Sequence, residues 1–493
     1  MQTMMPQTGI SLRQVLPQAN FLGQADVWVR RCRVDSRQVR PGDVFVAVRG
    51  SQFNGRDFIR DALQRGAAAI VTEQAEEAVG VPQCVVPHAG EAFGSLCQAL
   101  AGGPSTGLKV IGVTGTNGKT TTTLFIASIL ESAGYAPGFL GTLGYCDRQT
   151  LAPSTHTTPP ADVLSSWLTR MAENDCTHAV LEVSRHALSQ GRVAGIDFDV
   201  ACVTNVRHDH LDYHGDWASY HAAKGKLFDY LKPEGLAILN ADDPGSAAYL
   251  NYCGHAALTV GLEQPAEITA TVVERFLSEQ TYLLHAGDET VPVRSRMIGS
   301  HNISNALQAA AVCLCYGIDL TDIARGLEDV KHVPGRLERI ECGQPFGVFV
   351  DYAHTPDALA LCLETLRPLT KGRLICVFGA GGDRDKTKRP LMGQAVSERA
   401  DLAIVTNDNP RTEDPQAIIR DITQGMSGRP EIMLDRAQAI AFALQTARPG
   451  DCVLIAGKGH ETYQIIGRET LPFDDRETAR ALLYHQPASR KAA

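Results

Sequence analysis

Short runs of apolar, largely β-branched residues alternate with helix-like stretches along much of this chain, and this pattern limits the folds it can adopt. In the middle of the chain such runs occupy residues 108–113, 178–183, 199–203 and 236–239, while residues 121–133 and 161–173 have helical character. Alternation of this kind predicts a parallel sheet with helical crossovers. The predicted fold class is therefore α/β.

A second series of predicted strands lies towards the end of the chain, and each strand runs into a polar or glycine-rich turn. The strands are residues 347–350, 374–378, 402–405 and 452–455, and the turns that follow are 351–354, 379–385, 408–411 and 457–461. Ligands of open α/β sheets bind beyond the carboxyl ends of the strands. We expect these four turns to lie close together.

A chain of 493 residues is too long for one hydrophobic core, and its length predicts about three domains. The segment 101–105, Ala-Gly-Gly-Pro-Ser, has the composition of a linker, and a third block begins near Pro334. We predict domains at residues 1–103, 104–334 and 335–493.

Charge and cysteine content restrict the function and the compartment. The net charge of −9 argues against nucleic acid as the main partner. Thirteen scattered cysteines, with no Cys-x-x-Cys pair, are typical of reduced core thiols. The N-terminus does not resemble a signal peptide, and no apolar segment approaches membrane-spanning length. The sequence predicts a cytoplasmic protein that is not embedded in a membrane.

The strongest local signal is a glycine-rich turn between a predicted strand and a predicted helix. Backbone N–H groups of such a turn, with the helix N-terminus, can bind phosphate oxygens. Lys119 would reach the β- and γ-phosphates of a nucleotide, and the Thr120 hydroxyl would bind Mg²⁺. The alternative is a structural turn with a solvated lysine. The spacing is unusual, with glycines at 112, 115 and 118 and Val113 where a nucleotide loop has glycine. The predicted ATP-binding residues are Gly115, Thr116, Asn117, Gly118, Lys119, Thr120 and Thr121.

Acidic and histidine side chains follow the next two predicted strands. Glu182 closes one of them, the position expected for a metal-binding carboxylate beside a phosphate loop. Residues 204–214 after the other strand are rich in histidine and aspartate. Such a run could bind Mg²⁺, Zn²⁺ or Mn²⁺, or simply cap a helix.

The run Gly115-Thr116-Asn117-Gly118-Lys119-Thr120 resembles the signature of the Mur ligase family, and the resemblance extends over essentially the whole chain. It implies an ATP- and Mg²⁺-dependent ligase of peptidoglycan precursor synthesis that joins an amino acid to a carboxylate through an acyl phosphate. The implied carboxylate substrate is UDP-N-acetylmuramoyl-L-alanyl-D-glutamate. The first domain would bind the UDP part. The central domain would bind ATP on a P-loop ATPase-type parallel sheet, and the last, Rossmann-like domain would bind the amino acid.

The resemblance also implies individual site residues. The catalytic set is Lys119, Glu182, His210 and Lys224, and the metal ligands are Thr120, Glu182, His210 and a carbamylated Lys224. Further nucleotide contacts are Asn302, Arg336 and Asp351. The UDP-substrate contacts are Val34, Ser36, Ser51, Gln52, Phe53, Thr157, Thr158, Ser184, Gln190 and Arg192. Arg185 stands where the resemblance leads one to expect a second serine.

The motif Asp408-Asn409-Pro410-Arg411 decides which amino acid the resemblance implies. In the family it accompanies meso-2,6-diaminopimelate, whose distal carboxylate Arg411 and Arg389 could bind while Glu461 receives the ammonium. Gly457 completes the implied set. The alternatives are an L-lysine-adding Mur ligase, a folylpolyglutamate synthetase and an ATP-binding switch without ligase chemistry.

Overall fold

The structure, a computed structural model, describes residues 9–50, 53–77, 79–206 and 217–484. The chain divides into two compact units. Of the described residues, the first unit comprises those up to 206, 217–260 and 311–317, and the second comprises 261–310 and 318–484. Within the described ranges, no helix is both long and apolar enough to cross a bilayer.

The first part of the first unit is a small α/β layer. Its strands are β1 (Ile10–Ser11), β2 (Asn20–Leu22), β3 (Trp28–Val29), β4 (Cys32–Arg33), β5 (Val44–Val46), β6 (Ala69–Thr72) and β7 (Gln83–Val85). Its helices are α1 (Leu12–Val15), α2 (Ile59–Gln64) and α3 (Ala89–Leu100). Strands β4 to β7 pair in parallel, with β2 antiparallel at the edge. The buried face of α3 packs on this sheet in a continuous apolar core.

The second part of the first unit is built on a larger sheet. Its strands are β8 (Lys109–Thr114), β9 (Pro137–Gly141), β10 (Gly144–Cys146), β11 (Leu151–Ala152), β12 (His178–Glu182), β13 (Phe198–Val203), β14 (Leu231–Asn240) and β15 (Ala256–Gly261). Its helices are α4 (Lys119–Ser132), α5 (Ala161–Glu173), α6 (Arg185–Ser189), α7 (Trp217–Gly225) and α8 (Pro244–Ala247). Strands β9, β12, β8, β13, β14 and β15 pair in parallel in that order. The predicted parallel sheet is confirmed, and β8 lies near its centre with its carboxyl end followed by the glycine-rich turn.

The second unit begins with three antiparallel strands and continues into a second parallel sheet. Its strands are β16 (Ile268–Arg275), β17 (Gln280–Ala286), β18 (Glu289–Ser295), β19 (Glu338–Arg339), β20 (Gly347–Asp351), β21 (Leu374–Phe378), β22 (Leu402–Val405), β23 (Glu431–Ile432), β24 (Cys452–Ala456), β25 (Tyr463–Ile466) and β26 (Glu469–Pro472). Its helices are α9 (Ser300–Leu314, up to Ala310 in this unit), α10 (Leu320–Asp329), α11 (Pro356–Leu366), α12 (Lys388–Ser397), α13 (Pro415–Thr423), α14 (Arg436–Thr446) and α15 (Asp475–Tyr484). The sheet order β19-β20-β24-β21-β22-β23 is parallel apart from β19. Apolar clusters cover both faces of this sheet, as a parallel sheet requires.

Candidate functional site

The glycine-rich turn of the first unit connects β8 to α4 and has the backbone of a phosphate-binding loop. Gly118 precedes α4 with φ of 86°, and Gly115 has φ of 148°. A Cβ atom on Gly115 would lie 1.8 Å from Thr204 Oγ1, so only glycine fits there. The Lys119 ammonium donates to the carbonyls of Gly115 and Thr116 at 2.8 and 3.0 Å. The Lys119 amine therefore lies over the glycine-rich turn that precedes α4.

Asn205, two residues after the end of β13, holds this turn through three hydrogen bonds. The Asn117 N–H donates to Asn205 Oδ1 at 2.9 Å, and Asn205 Nδ2 returns a bond to the Asn117 carbonyl at 3.1 Å. The Thr116 N–H donates to the Asn205 carbonyl at 2.9 Å. These contacts were not foreseen, because nothing in the spacing of Thr204-Asn205 distinguishes them from any polar residues after a strand.

Glu182 ends β12 beside this loop, as predicted from its position. The carboxylate is 2% exposed and accepts from the Thr120 hydroxyl at 3.0 Å. It also accepts from the Thr142 N–H at 2.8 Å and the Thr142 hydroxyl at 3.2 Å. A buried carboxylate next to a hydroxyl, at the N-terminus of α4, is an oxygen donor set suited to a hard divalent cation.

Lys224 is 2% exposed and lies near the end of α7. Its amine lies 4.9 Å from the Tyr220 ring centroid, and the Arg185 guanidinium lies 5.3 Å from the same centroid. The Tyr220 hydroxyl and Thr116 Oγ1 are 3.0 Å apart. Tyr220 thus connects the phosphate loop to Lys224 and to the unexpected Arg185, which is itself 6% exposed.

The residues predicted to hold the acceptor peptide form a hydrogen-bonded group next to Glu182. The Thr158 hydroxyl donates to the Glu182 carbonyl at 2.7 Å and accepts from the Ser184 N–H at 2.9 Å. Arg192 donates to the Thr158 carbonyl at 2.7 Å and to Gln190 Oε1 at 3.0 Å. Thr157 Oγ1 lies 3.2 Å from Thr142 Oγ1.

The predicted uridine-diphosphate residues lie in the first part of the first unit. Val34 and Phe53 are exposed, and the Phe53 ring meets Phe58 edge-on with centroids 6.3 Å apart. Ser36 is buried at the start of a short 3-10 turn that Asp35 caps. The predicted residues Ser51, Gln52 and His210 lie outside the described residues.

The four strand-end turns of the second unit lie together, as predicted. The Gly382 N–H donates to the Asn409 carbonyl at 2.9 Å, and the Gly457 N–H donates to the Asp351 carbonyl at 3.0 Å. Gly457 has φ of 118°, and a Cβ there would lie 2.5 Å from Asp408 Oδ2. The sequence therefore places glycine at a point where two of the turns approach each other closely.

A buried polar network joins the turn at 408–411 to the turn at 457–461. Glu461 Oε2 accepts from Asn409 Nδ2 at 2.8 Å and from the Lys458 amine at 3.1 Å. Lys458 also donates to Asn409 Oδ1 at 3.1 Å. The Asp408 carbonyl accepts from Gln464 Nε2 at 2.7 Å. Sequence reasoning missed Lys458, because one lysine within a glycine-rich turn carries no signal of burial.

Arg411 follows Pro410 with φ of 53°, a conformation that a non-glycine residue seldom adopts. Its N–H donates to the Ile465 carbonyl at 3.1 Å, its carbonyl accepts from the Gly467 N–H at 2.7 Å, and its guanidinium donates to the Gly382 carbonyl at 2.8 Å. Arg384 is exposed in the neighbouring turn. A Cβ on Gly381 would lie 3.0 Å from Arg411 Nη1 and 3.7 Å from Arg384 Cγ, so the two arginines flank one glycine.

Arg389 has a different environment from Arg411. It is fully buried, and its guanidinium bonds both oxygens of Glu413 at 2.9 and 3.0 Å and Asp421 at 2.9 Å. Hydrogen bonds from Arg389 lower the pKa of Glu413 to about 2. A ligand carboxylate would have to displace two carboxylates that are already in place.

The three predicted nucleotide contacts of the second unit lie on different structural elements. Asp351 at the end of β20 accepts from the backbone of Leu337 at 2.6 Å and of Ala353 at 2.7 Å, and burial raises the pKa of its carboxyl group. The Arg336 guanidinium lies 4.8 Å from the Tyr352 ring centroid. Asn302 is buried in α9 and donates to the Ile298 carbonyl at 2.8 Å.

No cluster of three or more histidine, cysteine, aspartate or glutamate side chains arranged for metal binding occurs within residues 9–50, 53–77, 79–206 and 217–484. All thirteen cysteines are free. A phosphate loop with a buried carboxylate, together with a strand-end cluster of charged side chains, defines a nucleotide-dependent enzyme that handles anionic substrates.

Comparisons with known proteins agree with this class and narrow it. Models of the Mur ligase catalytic, middle and glutamate ligase domains match residues 29–100, 113–313 and 335–459. A Geobacillus thermodenitrificans protein named UDP-N-acetylmuramoyl-L-alanyl-D-glutamate–2,6-diaminopimelate ligase is 44% identical over 458 residues, which covers 91% of this chain and 93% of the relative. The chain belongs to the Mur ligase family, whose members are ATP-dependent, ADP-forming ligases.

Solved structures show the same relationship. A structure of a UDP-N-acetylmuramoyl-L-alanyl-D-glutamate–2,6-diaminopimelate ligase superposes with a TM-score of 0.68 at 35% identity, covering 97% of this chain and 99% of the other. Mycobacterium tuberculosis folylpolyglutamate synthase, at 20% identity and a TM-score of 0.63, covers 80% of this chain and 95% of its own. The latter likeness shows the fold alone. The three-domain α/β fold expected from the sequence is confirmed.

Proposed function

We propose that this chain joins meso-2,6-diaminopimelate to UDP-N-acetylmuramoyl-L-alanyl-D-glutamate, with ATP cleaved to ADP and phosphate, in peptidoglycan precursor synthesis. The observation that carries the choice of amino acid is the cluster at the strand ends of the second unit. There the Arg411 guanidinium and the stem of the Arg384 side chain flank Gly381, and the Glu461 carboxylate lies in the adjoining turn. Two guanidiniums and a carboxylate complement the distal carboxylate and ammonium of diaminopimelate. The names of the relatives support the same substrates.

The reaction proceeds in two steps. A carboxylate oxygen of the acceptor's D-glutamate attacks the γ-phosphorus of ATP, the bond to the β,γ-bridging oxygen breaks, and ADP leaves. The neutral amine of the amino acid then attacks the acyl carbon, the carbon–oxygen bond to phosphate breaks, and the amine loses its proton. Lys119, above the turn that would hold the phosphates, offsets the charge that keeps two anions apart.

A divalent cation fits next to the phosphate loop. Thr120 Oγ1 and the Glu182 carboxylate lie 3.0 Å apart and provide the oxygen donors that Mg²⁺ prefers. Bound there, Mg²⁺ would neutralise phosphate charge. His210, a further proposed ligand, lies outside the described residues.

We also propose that Lys224 is carbamylated. Its amine is 2% exposed and lies beside the Tyr220 ring, so bulk water has little access. A neutral lysine amine adds CO₂ at the nitrogen and releases one proton, which turns a potential cation into an anionic oxygen donor. The nearby Arg185 guanidinium would attract that anion.

The remaining proposed contacts follow the domains. Residues 1–103 bind the UDP part through Val34, Ser36, Ser51, Gln52 and Phe53, and residues 104–334 bind ATP. The acceptor peptide lies against Thr157, Thr158, Ser184, Gln190 and Arg192. Residues 335–493 bind the amino acid through Arg384, Asp408, Asn409, Pro410, Arg411, Gly457 and Glu461. Asn302, Arg336 and Asp351 remain proposed nucleotide contacts.

Thirteen free cysteines suit a reducing compartment, and we place the reaction in the cytoplasm.

Arg384 replaces Arg389 in this proposal because Arg389 is already bonded to two carboxylates. We expect Arg411→Ala to raise KM for diaminopimelate by about 30-fold and Arg384→Ala by about tenfold, since each removes a charge-assisted bond. KM for ATP should stay the same. The matched control is Arg420→Ala, whose side chain is 64% exposed and 3.4 Å from Asp414. An unchanged KM for diaminopimelate in Arg411→Ala would contradict the assignment.

Phosphate release tests the function as a whole. We expect release from ATP only when the UDP-muramyl dipeptide and diaminopimelate are both present. Release with L-lysine in place of diaminopimelate would identify a lysine-adding enzyme, and release with a folate and glutamate a folylpolyglutamate synthetase. ATP hydrolysis indifferent to all of these compounds would indicate a switch.

A further inference from the structure

Lys458 is a fully buried cation in the amino-acid cluster for which neither the sequence nor the proposed reaction supplies a role. Its side chain is 0% exposed, whereas that of Glu461 is 15% exposed. The amine donates to Glu461 Oε2 and to Asn409 Oδ1, each at 3.1 Å, and lies 5.6 Å from the Tyr463 ring centroid. Lys458 therefore lies behind Glu461, on the side away from solvent.

The same network holds Lys458 in place. Asn409 Oδ1 accepts from the Ile465 N–H at 2.9 Å as well as from Lys458, and Asn409 Nδ2 donates to Glu461 at 2.8 Å. Every member is thus fixed by backbone or by another member. A lysine with no exposed surface cannot turn away to release Glu461 when a ligand arrives.

The Glu461 carboxylate has a cation in direct contact, the Lys458 amine at 3.1 Å. Arg384 and Arg411 lie in the neighbouring turns, whose acidic residues are Asp383, Asp385 and Asp408. Asp408 Oδ2 faces Gly457 on the side of Arg436, which is itself paired with Asp475. The charge of Glu461 is therefore largely offset before any substrate binds.

We propose that Lys458 is a positioning residue that sets amino-acid specificity. Its charge weakens the attraction of the Glu461 carboxylate for a ligand ammonium group, so that an ammonium group without a neighbouring carboxylate is not bound. This inference rests on the proposed function. The distal end of diaminopimelate carries one carboxylate and one ammonium, so it adds no net charge to the cluster. The distal end of L-lysine is an ammonium alone, which meets two guanidiniums and a carboxylate already shared with Lys458. Lys458 acts through Glu461 and Asn409 and does not touch the substrate.

The test replaces Lys458 by methionine, which has a similar length and no charge. Product formation is measured by mass spectrometry with diaminopimelate and with L-lysine in separate reactions. We expect the ratio of kcat/KM for diaminopimelate to kcat/KM for L-lysine to fall about tenfold or more, mainly through a lower KM for L-lysine. Loosening of the turn without a charge effect would lower both values and leave their ratio unchanged.

Two further variants make the outcome decisive. Lys458→Met combined with Glu461→Gln should lose the gain in L-lysine use, because the uncompensated carboxylate is then gone. If Lys458→Met does not fold, Lys458→Gln, which keeps a hydrogen-bond donor, takes its place in the test. A ratio within about twofold of the wild type in either folded single variant would overturn the inference. Wild-type enzyme that makes no product with diaminopimelate would overturn the proposed function, and the inference with it.

Discussion

Replacing Lys224 by methionine should lower kcat about a thousandfold, the effect expected when a preorganised charged group is lost from a phosphoryl-transfer site. The reason is that the variant cannot form the proposed carbamate. Carbon-13 NMR with labelled bicarbonate should show a carbamate resonance in the wild type and none in the variant. Native mass spectrometry of the wild type should show the added mass of one CO₂.

Lys226→Met is the matched control for this variant. Lys226 lies two residues after Lys224 in the chain, directly after the end of α7. Its side chain is 39% exposed and forms a surface ion pair with Glu91 at 3.2 Å. Surface ion pairs contribute little, so kcat should stay within about twofold of the wild type. A Lys224→Met enzyme with wild-type kcat, or a wild-type protein without the carbamate signal, would refute the proposed modification.

Breaking the ion pair between Arg436 and Asp475 should destabilise the second unit by about 3–5 kcal/mol, the largest stability effect we expect from a single substitution. Both side chains are 0% exposed, and Arg436 donates to both oxygens of Asp475 at 2.7 Å. Arg436 also donates to the carbonyls of Asn407 and Ala456, which precede two of the strand-end turns. Asp475→Asn should lower the midpoint of urea unfolding because the guanidinium is left buried without its anion.

Removing both charges should have a different result. Arg436→Met combined with Asp475→Leu fills the space without burying a charge, and most of the stability should return. KM for diaminopimelate should nevertheless rise above the wild-type value, because the bonds from Arg436 to the two carbonyls are lost. If the double variant is as unstable as Asp475→Asn, packing and not the charge pair accounts for the loss.

The sequence predicted the parallel sheets well because their strands are buried on both faces and read as continuous apolar runs. Residues 374–378 and 402–405 were placed without error as β21 and β22, and residues 161–173 as α5. The antiparallel strands β16 to β18 were not predicted. Their burial alternates or is low, as in β16, where five of eight residues are exposed, so they lack an apolar run.

The phosphate loop and Glu182 could be predicted because strand, glycines and helix follow one another in the chain. Contacts between distant segments could not. Thr142 bonds Glu182 across 40 positions and Lys458 bonds Asn409 across 49, and neither pair has a spacing that reveals it. The resemblance implied Arg389 as a contact of the distal carboxylate, and nothing in the sequence indicates that Glu413 and Asp421 already bind its guanidinium.

The attachment of Arg411 to the β25–β26 hairpin means that amino-acid selectivity can change independently of the parallel sheet. Both backbone groups of Arg411 are bonded to the hairpin, through the Ile465 carbonyl and the Gly467 N–H. The hairpin itself pairs only its own two strands among the described sheets. Insertions or deletions in this short appendage would therefore shift the guanidinium while leaving the buried parallel strands intact. Relatives could therefore differ in amino-acid selectivity through changes in a few surface residues, without loss of stability in the hydrophobic core.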